Sequence, residues 1–463
     1  MFRKVLVANR GEIACRVLRT CERLGVATAA VFSDADALSP HVALADEAIR
    51  IGPAPVRDSY LNIAALVDAI RQSGADAVHP GYGLLSERRD FAEAVAAAGA
   101  VFIGPPPEAL AALGDKLRAR AVARSVGVEP PPGSATAIDP ADEAALAAEL
   151  ARIGLPVLIK AAGGGGGIGM QIVREVDVLK AAAQTCADRG RAAFGDSRIY
   201  LERYLEHPKH IEVQIFCDAH GHAVALGERD CSAQRRHQKV LEESPSPAAF
   251  FVGNSGEERR QALAEAALKI VRAVDYRGAG TVEFVADASG TLYFLEVNAR
   301  LQVEHPVTEW VTGLDLVELQ LRVADGQPLA PAVLAPTLTG HAIEARLYAE
   351  DPRKGFIPQP GRLTRLRLPE GMPGIRVDSG VLEGAEVTTH YDPMLAKISA
   401  HGRDRTEALE LLRAALEQTV AEIAGPKGPR TTNREFLLTV LGSDSFQSGQ
   451  YDTGLLETLA KTA

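Results

Sequence analysis

Cysteine is scarce and cannot pair off: Cys15, Cys21, Cys186, Cys217 and Cys231 are the only five in 463 residues, and no CxxC spacing occurs. An odd count without metal-type spacing excludes a disulfide framework and a zinc knuckle and leaves free thiols in a reducing compartment. Cys231 falls in what reads as a charged loop and is expected to be structural. No run approaches the roughly 18 apolar residues of a membrane span, and MFRKVLVANRGEIACR gains charge too early for a secretory leader. Basic residues are not in excess either: 50 Lys and Arg stand against 60 Asp and Glu, a net charge of -10. Neither nucleic acid nor an anionic membrane is therefore an expected partner, and any phosphate must be held by local groups. A cytoplasmic protein is the expectation.

What is present is an ordinary globular composition, 46% hydrophobic and 24% charged, with length for about three domains at roughly 150 residues each. KVLVA at 4–8, a helical pattern from Glu12 to Leu24 and an apolar run from Ala27 to Phe32 open a βαβ unit. Ala75 to His79, a helix near Glu87 to Ala98 and Val101 to Ile103 continue it, which predicts a doubly wound, Rossmann-like α/β domain over 1–114. NRGEIA is not a dinucleotide fingerprint. HPGYG at 79–83 is either a ligand-edge loop or a plain turn. GDK at 114–116 starts a linker helix, and the linker over 115–134 closes on EPPPG.

A small lid is expected over 135–204. Its helix from Asp142 to Ile153 leads into PVLIK, and Lys160 is followed by five glycines at 163–167. Glycine lets backbone N–H groups approach anionic oxygens without a Cβ clash, so this reads as a mobile cover for nucleotide phosphates; a hairpin tip is the bland alternative. Strands are predicted over 198–205 and 210–217. GERDCSAQRRHQKVLEE at 227–243 is either a solvated charge run or the cationic wall of an anion site. The core ends near 335, an α+β domain spans 336–447, and 448–463 reads as a tail.

LEVNARLQVEH at 295–305 alternates throughout, placing Glu296, Asn298, Arg300, Gln302 and Glu304 on one face of an extended strand. A solvated strand face is the bland alternative, but Glu, Asn and Gln are poor strand formers. Glu296 and Asn298 offer oxygen ligands for a hard cation, and Arg300 presents an anion-shaped fork. The turn-like DASG at 287–290 makes TVEFV at 281–285 a hairpin partner that brings Glu283 opposite Glu296.

Taken in order, ANRGEIA, HPGYG, GDK, KAAGGGGG, ERDCSAQRRHQK, YRGAGTVEF, EVNARLQVEHPVTE, GHAIEAR and DPMLAK resemble biotin carboxylase, the ATP-grasp component of biotin-dependent carboxylases, over nearly the whole chain. The resemblance implies an ATP-grasp fold between the N-terminal domain and a C-terminal biotin carboxylase domain. It implies ATP contacts from Lys116, Lys160, Gly166, Gly167, Glu202, Arg203, Tyr204, Leu205 and His210, with His237 near the nucleotide. Glu283, Glu296 and Asn298 would bind two Mg²⁺ ions, with Mn²⁺ an alternative. Lys239, Arg300, Gln302 and Val303 would form the bicarbonate site, Glu304 would be the base, and Arg346 would steady the enolate of biotin. The implied intermediate is carboxyphosphate.

The family usually has an arginine where Ile168 stands and a basic residue at Gln171, which bears on lid closure. Biotin is attached in this family to the lysine of a Met-Lys-Met sequence, and none of Met1, Met170, Met372 and Met394 precedes a lysine. The expectation is therefore a biotin carboxyl carrier protein and a carboxyltransferase in trans, within an acetyl-CoA or similar acyl-CoA carboxylase, and a homodimeric subunit. The alternatives are another bicarbonate-using ATP-grasp ligase and a weakly active nucleotide-binding regulatory subunit.

Overall fold

The computed structural model describes residues 1–163, 169–236, 238–253 and 255–462. The first apolar runs form a five-stranded parallel sheet in the order Glu47–Gly52, Ala27–Ser33, Lys4–Val7, Ala77–His79, Val101–Phe102. Helices Gly11–Arg23, Ile63–Ser73 and Arg89–Ala97 accompany it and contribute to the cores on its faces, as a parallel sheet of apolar strands requires. The edge strand Glu47–Gly52 is absent from the sequence reading because the charged Glu47 and Arg50 interrupt its apolar run. Helix Lys116–Ser125 begins at Asp115, whose carboxylate accepts from the backbone N–H groups of Leu117 and Arg118 at 3.0 Å each. That cap fixes Lys116 in the first turn.

Three antiparallel strands, ordered Met170–Val173, Val157–Ala161, Ile199–Arg203, build the small unit with helices Glu143–Ile153 and Leu179–Phe194. It has its own apolar core around Leu146, Ile159, Ala183 and Leu201. The largest element is an eight-stranded antiparallel sheet. Its order is Leu292–Asn298, Gly278–Ala286, Lys209–Cys217, Ala223–Arg235, Gln238–Ser244, His341–Tyr348, Met394–Gly402, Ile375–Ser379. It crosses position 336 without a break, since Leu241 to Ser244 pair with Ala345 to Ala342.

The charged stretch 227–243 is the central hairpin of this sheet, with Arg229, Asp230, Cys231 and Glu243 fully buried. Cys231 thus lies in a strand and not in a charged loop; flanking apolar strands drew the segment inside, where its charges pair with one another. The C-terminal region adds a four-stranded sheet and helices Arg405–Gln418 and Arg434–Leu441. Of residues 448–463, expected as a tail, the described part, 448–462, packs onto this core through Tyr451 and Leu456. All five cysteines are buried and free, and no helix among the described residues is long and apolar enough to cross a membrane.

Candidate active site

The alternation over 295–305 is not one extended strand. Strand Leu292–Asn298 ends at Asn298, the chain turns, and Pro306 opens helix His305–Thr312. Glu87 sets that turn: its Oε1 accepts from the Ala299 N–H at 2.9 Å and its Oε2 from Arg300 Nε at 2.8 Å. The Arg300 guanidinium then folds back to Asn298 Oδ1 at 3.0 Å and Gln302 Oε1 at 3.1 Å. The polar set converges through a turn, where parity alone predicted a straight row.

The hairpin register does place Glu283 opposite Glu296, with a bulge after Glu283. The next strand puts Glu212 opposite Glu283, and the one beyond puts Arg229 opposite Glu212, so four charged groups cross four strands in one line. Lys239 Nζ donates to Glu212, to Glu283 at 2.8 Å and to Glu304 at 2.6 Å. Burial alone would lower the pKa of this ammonium, but the three carboxylates raise it well above the usual value. Burial would likewise raise Glu304, yet Lys239, Arg346 and Arg229 hold its carboxyl well below the usual range. Glu304 is therefore an ionised acceptor. Arg346 donates to Glu242 from Nε at 2.6 Å and to Glu304 Oε2 at 2.9 Å. Lys397 Nζ donates to the Val303 carbonyl at 2.7 Å, which anchors the loop between the two cations.

At the other end, Lys116 Nζ lies 3.1 Å from Glu296 Oε2. Lys160 pairs with Glu202, whose other oxygen accepts from Arg120 at 2.8 Å. Burial lowers the Lys160 pKa, and Glu202 offsets only part of that. His210 Nε2 lies 3.1 Å from Glu283 Oε2. Burial would lower the pKa of this ring, and Glu283 raises it instead. Arg203 turns outward and donates to the Ile153 carbonyl at 2.9 Å, and Tyr204 is stacked under Arg174. Of 202–205, Glu202 is thus the side chain joined to the buried charge cluster, while Leu205 is half-buried. Gly166, Gly167, Ile168 and His237 lie outside the described residues.

The donor set fits a hard cation: two carboxylates on paired strands and an amide oxygen two residues on, with Lys116 and Lys239 supplying positive charge beside them. His210, Glu212 and Glu283 converge, as do Glu212, Cys231 and Glu304, and the carboxylates of both sets surround the Lys239 ammonium. Four contributors escaped the sequence reading. Glu212 was legible in the alternation of His210, Glu212 and Gln214; Glu87, Glu242 and Lys397 gave no local signal, because each acts on a residue far away in the chain.

Three family models tile the chain: biotin carboxylase N-terminal domain over residues 1–110, carbamoyl-phosphate synthase L chain ATP binding domain over 115–332, and biotin carboxylase C-terminal domain over 344–458. A biotin carboxylase of Halalkalibacterium halodurans is 48% identical over 98% of this chain and 97% of its own length. The mitochondrial propionyl-CoA carboxylase alpha chain of Homo sapiens is 46% identical over 98% of this chain, which spans 61% of that relative's length. A Campylobacter jejuni biotin carboxylase crystallised as a β,γ-ATP complex superposes with a TM-score of 0.92 at 40% identity, covering 99% of both chains. With the ATP-grasp core flanked on both sides by its characteristic domains, the chain belongs to the biotin carboxylase family of ATP-dependent ligases.

Proposed function

We propose that this chain uses ATP and bicarbonate to carboxylate biotin on a separate carrier protein. The observation that supports this best is the bridge made by Glu304, which binds Lys239 through Oε1 and Arg346 through Oε2. A proton acceptor thus stands between one cation suited to bicarbonate and another suited to biotin.

Lys239 and Arg300, with Gln302 and the Val303 backbone, would hold bicarbonate and reduce its repulsion from the terminal phosphate of ATP. Lys116, Lys160, Gly166 and Gly167 would contact the phosphates, and Glu202, the backbone of 203–205, His210 and His237 the adenosine. Glu283, Glu296 and Asn298 would hold two Mg²⁺ ions, which when bound neutralise phosphate charge. Glu304, kept ionised by its neighbours, would take the bicarbonate proton. Arg346 would donate to the ureido oxygen of biotin, where negative charge develops.

A carboxyltransferase in trans, a homodimer and a cytoplasmic setting belong to the same proposal. The acceptor expected from the resemblance is acetyl-CoA or a similar acyl-CoA, and the human relative's name points to propionyl-CoA among these. A second reading, a bicarbonate-using ligase with a different acceptor, is motivated by the carbamoyl-phosphate synthase name of the central family model. Bicarbonate-dependent ADP release measured with and without free biotin tests both. Stimulation by biotin is expected; bicarbonate-dependent release that biotin leaves unchanged would favour the second reading, and none at all would leave a nucleotide-binding regulatory subunit.

A further inference from the structure

Behind Arg346 lies a pair of acids that this mechanism does not use. Glu242 and Glu344 are opposite each other on adjacent strands, and Ser399 stands opposite Glu344 on the next. All three are buried, Glu344 completely. Glu242 Oε1 accepts from Arg346, but Glu242 Oε2 and both oxygens of Glu344 have no hydrogen-bond partner among the described residues. An ionised carboxylate in such a place has lost its water and gained no donor, so it takes up a proton instead. Side chains directly opposed in an antiparallel pair have Cβ atoms about 4.5–5.5 Å apart, close enough for a single O–H···O contact between two glutamates.

The charges facing this pair are already committed. Lys397 donates to the Val303 carbonyl and pairs with Glu12 at 3.3 Å. Arg376 binds Glu309 and Asp378. Arg346 is shared between Glu242 and Glu304. His305, at the start of the covering helix, faces the Gln302 carbonyl, and its pKa is driven well below the usual value by burial and then by Lys397. Among the described residues none of these cations donates a hydrogen bond to Glu344. In accord with this, burial pushes the Glu344 carboxyl well above the usual range and Glu242 up to about 7.

We infer that Glu344 is held as a neutral acid whose O–H is directed at Glu242 Oε2, and that the pair is a positioning device for Arg346. The inference rests on the reading that Arg346 meets biotin. A single proton is involved: as the O–H bond of Glu344 breaks and one on Glu242 forms, net charge is unchanged, and the negative charge moves from beside Arg346 to the far carboxylate. With the charge on Glu242, the guanidinium is drawn back between two carboxylates. With the proton there, it is released towards the developing anion. Loss of the proton at high pH pins Arg346 and stops the exchange.

Glu344→Gln keeps the shape and a neutral donor but cannot pass a proton. Infrared difference spectra of the wild-type protein at neutral pH should show the C=O stretch of a protonated carboxylic acid, and that band should be missing from the variant. The kcat of biotin-stimulated ADP release should fall about 10-fold in the variant and lose its alkaline limb, with the KM for biotin little changed. A purely structural Glu344 would leave the pH profile intact, because glutamine preserves the packing. The inference is overturned if wild type lacks the band, or if band and profile are the same in the variant. Should the variant not fold, the wild-type spectrum decides. The spectrum needs no turnover, so a wild type that ignores biotin would sink the proposed function while the shared proton is still read independently.

Discussion

Glu242 and Glu243 are adjacent in the chain and face opposite sides of strand Gln238–Ser244, and they titrate in opposite directions. Burial raises Glu242 to about 7, with Arg346 opposing and the charge of Glu304 adding to it. Burial would raise Glu243 as well, yet His341 and Arg405 bring it down to about 2. Both side chains are fully enclosed, so exposure does not separate them. Donors do. Both oxygens of Glu243 accept hydrogen bonds, from His341 at 2.6 Å, from Arg405 at 2.7 and 2.9 Å and from Tyr451 at 2.6 Å, whereas one oxygen of Glu242 has none. Inside this sheet a carboxylate stays charged only where protein donors replace the water it gave up. The saturated side is structural scaffold, and the unsaturated side adjoins the candidate catalytic arginine.

The strongest way to break that contrast is to strip donors from the saturated carboxylates around Lys239. Lys239→Gln takes one donor from each of Glu212, Glu283 and Glu304, and bicarbonate-dependent ADP release should drop by about 10³-fold or more. ATP binding, followed by equilibrium titration, should survive; its loss in proportion to turnover would remove Lys239 from the bicarbonate role. Arg405→Met attacks the scaffold side instead. It takes two donors from a buried carboxylate and should cost about 3–5 kcal/mol in urea unfolding, with the specific activity of the folded fraction unchanged. A fall in activity without a fall in stability would tie Glu243 to the chemistry.

Glu296 sharpens the comparison from a third side, since both it and its partner Lys116 are only partly enclosed. Glu296→Gln should change stability by less than about 1 kcal/mol, but raise the Mg²⁺ concentration needed for half-maximal activity by about 10- to 100-fold. A wild-type Mg²⁺ titration would return Glu296 to the role of an ordinary strand polar group. The smallest effect is a pH tilt. The folded value of Glu242 lies above its ordinary 4.5, so its contribution to stability is full below 4.5 and is lost as pH rises through 7. The folded value of Glu243 lies below 4.5, so its contribution is present above 4.5 and is lost as pH falls towards 2. Glu242→Gln should flatten the neutral-side decline, and Arg405→Met should shrink the acid-side decline while His341 keeps part of it; an unaltered slope in either variant contradicts the corresponding assignment.

Much of the fold was legible because it is written in local period. The opening βαβ unit, the helix that GDK starts at 114–116, and the hairpin that sets Glu283 against Glu296 each depend on residues within one or two elements of each other. The strand of Glu296 was overextended in the sequence because polar and apolar residues go on alternating through a turn that Glu87 enforces from 212 positions away. The charged hairpin over 227–243 was ambiguous for a related reason: charge implies solvent unless partners are known, and its partners come from other strands.

The sequence by itself determined the opening βαβ unit and the hairpin that sets Glu283 against Glu296, since side-chain period and turn chemistry act over a few residues. It also carried, in the order of its motifs, the family to which the chain belongs. Tertiary structure alone decided that Glu304 bridges Lys239 and Arg346, that Glu242 stands opposite Glu344, and that donors reach both oxygens of Glu243 but one oxygen of Glu242. The reason is physical: the protonation of a buried acid is set by the donors that reach it, and here those donors come from strands and helices distant in the chain, brought together by sheet register and packing.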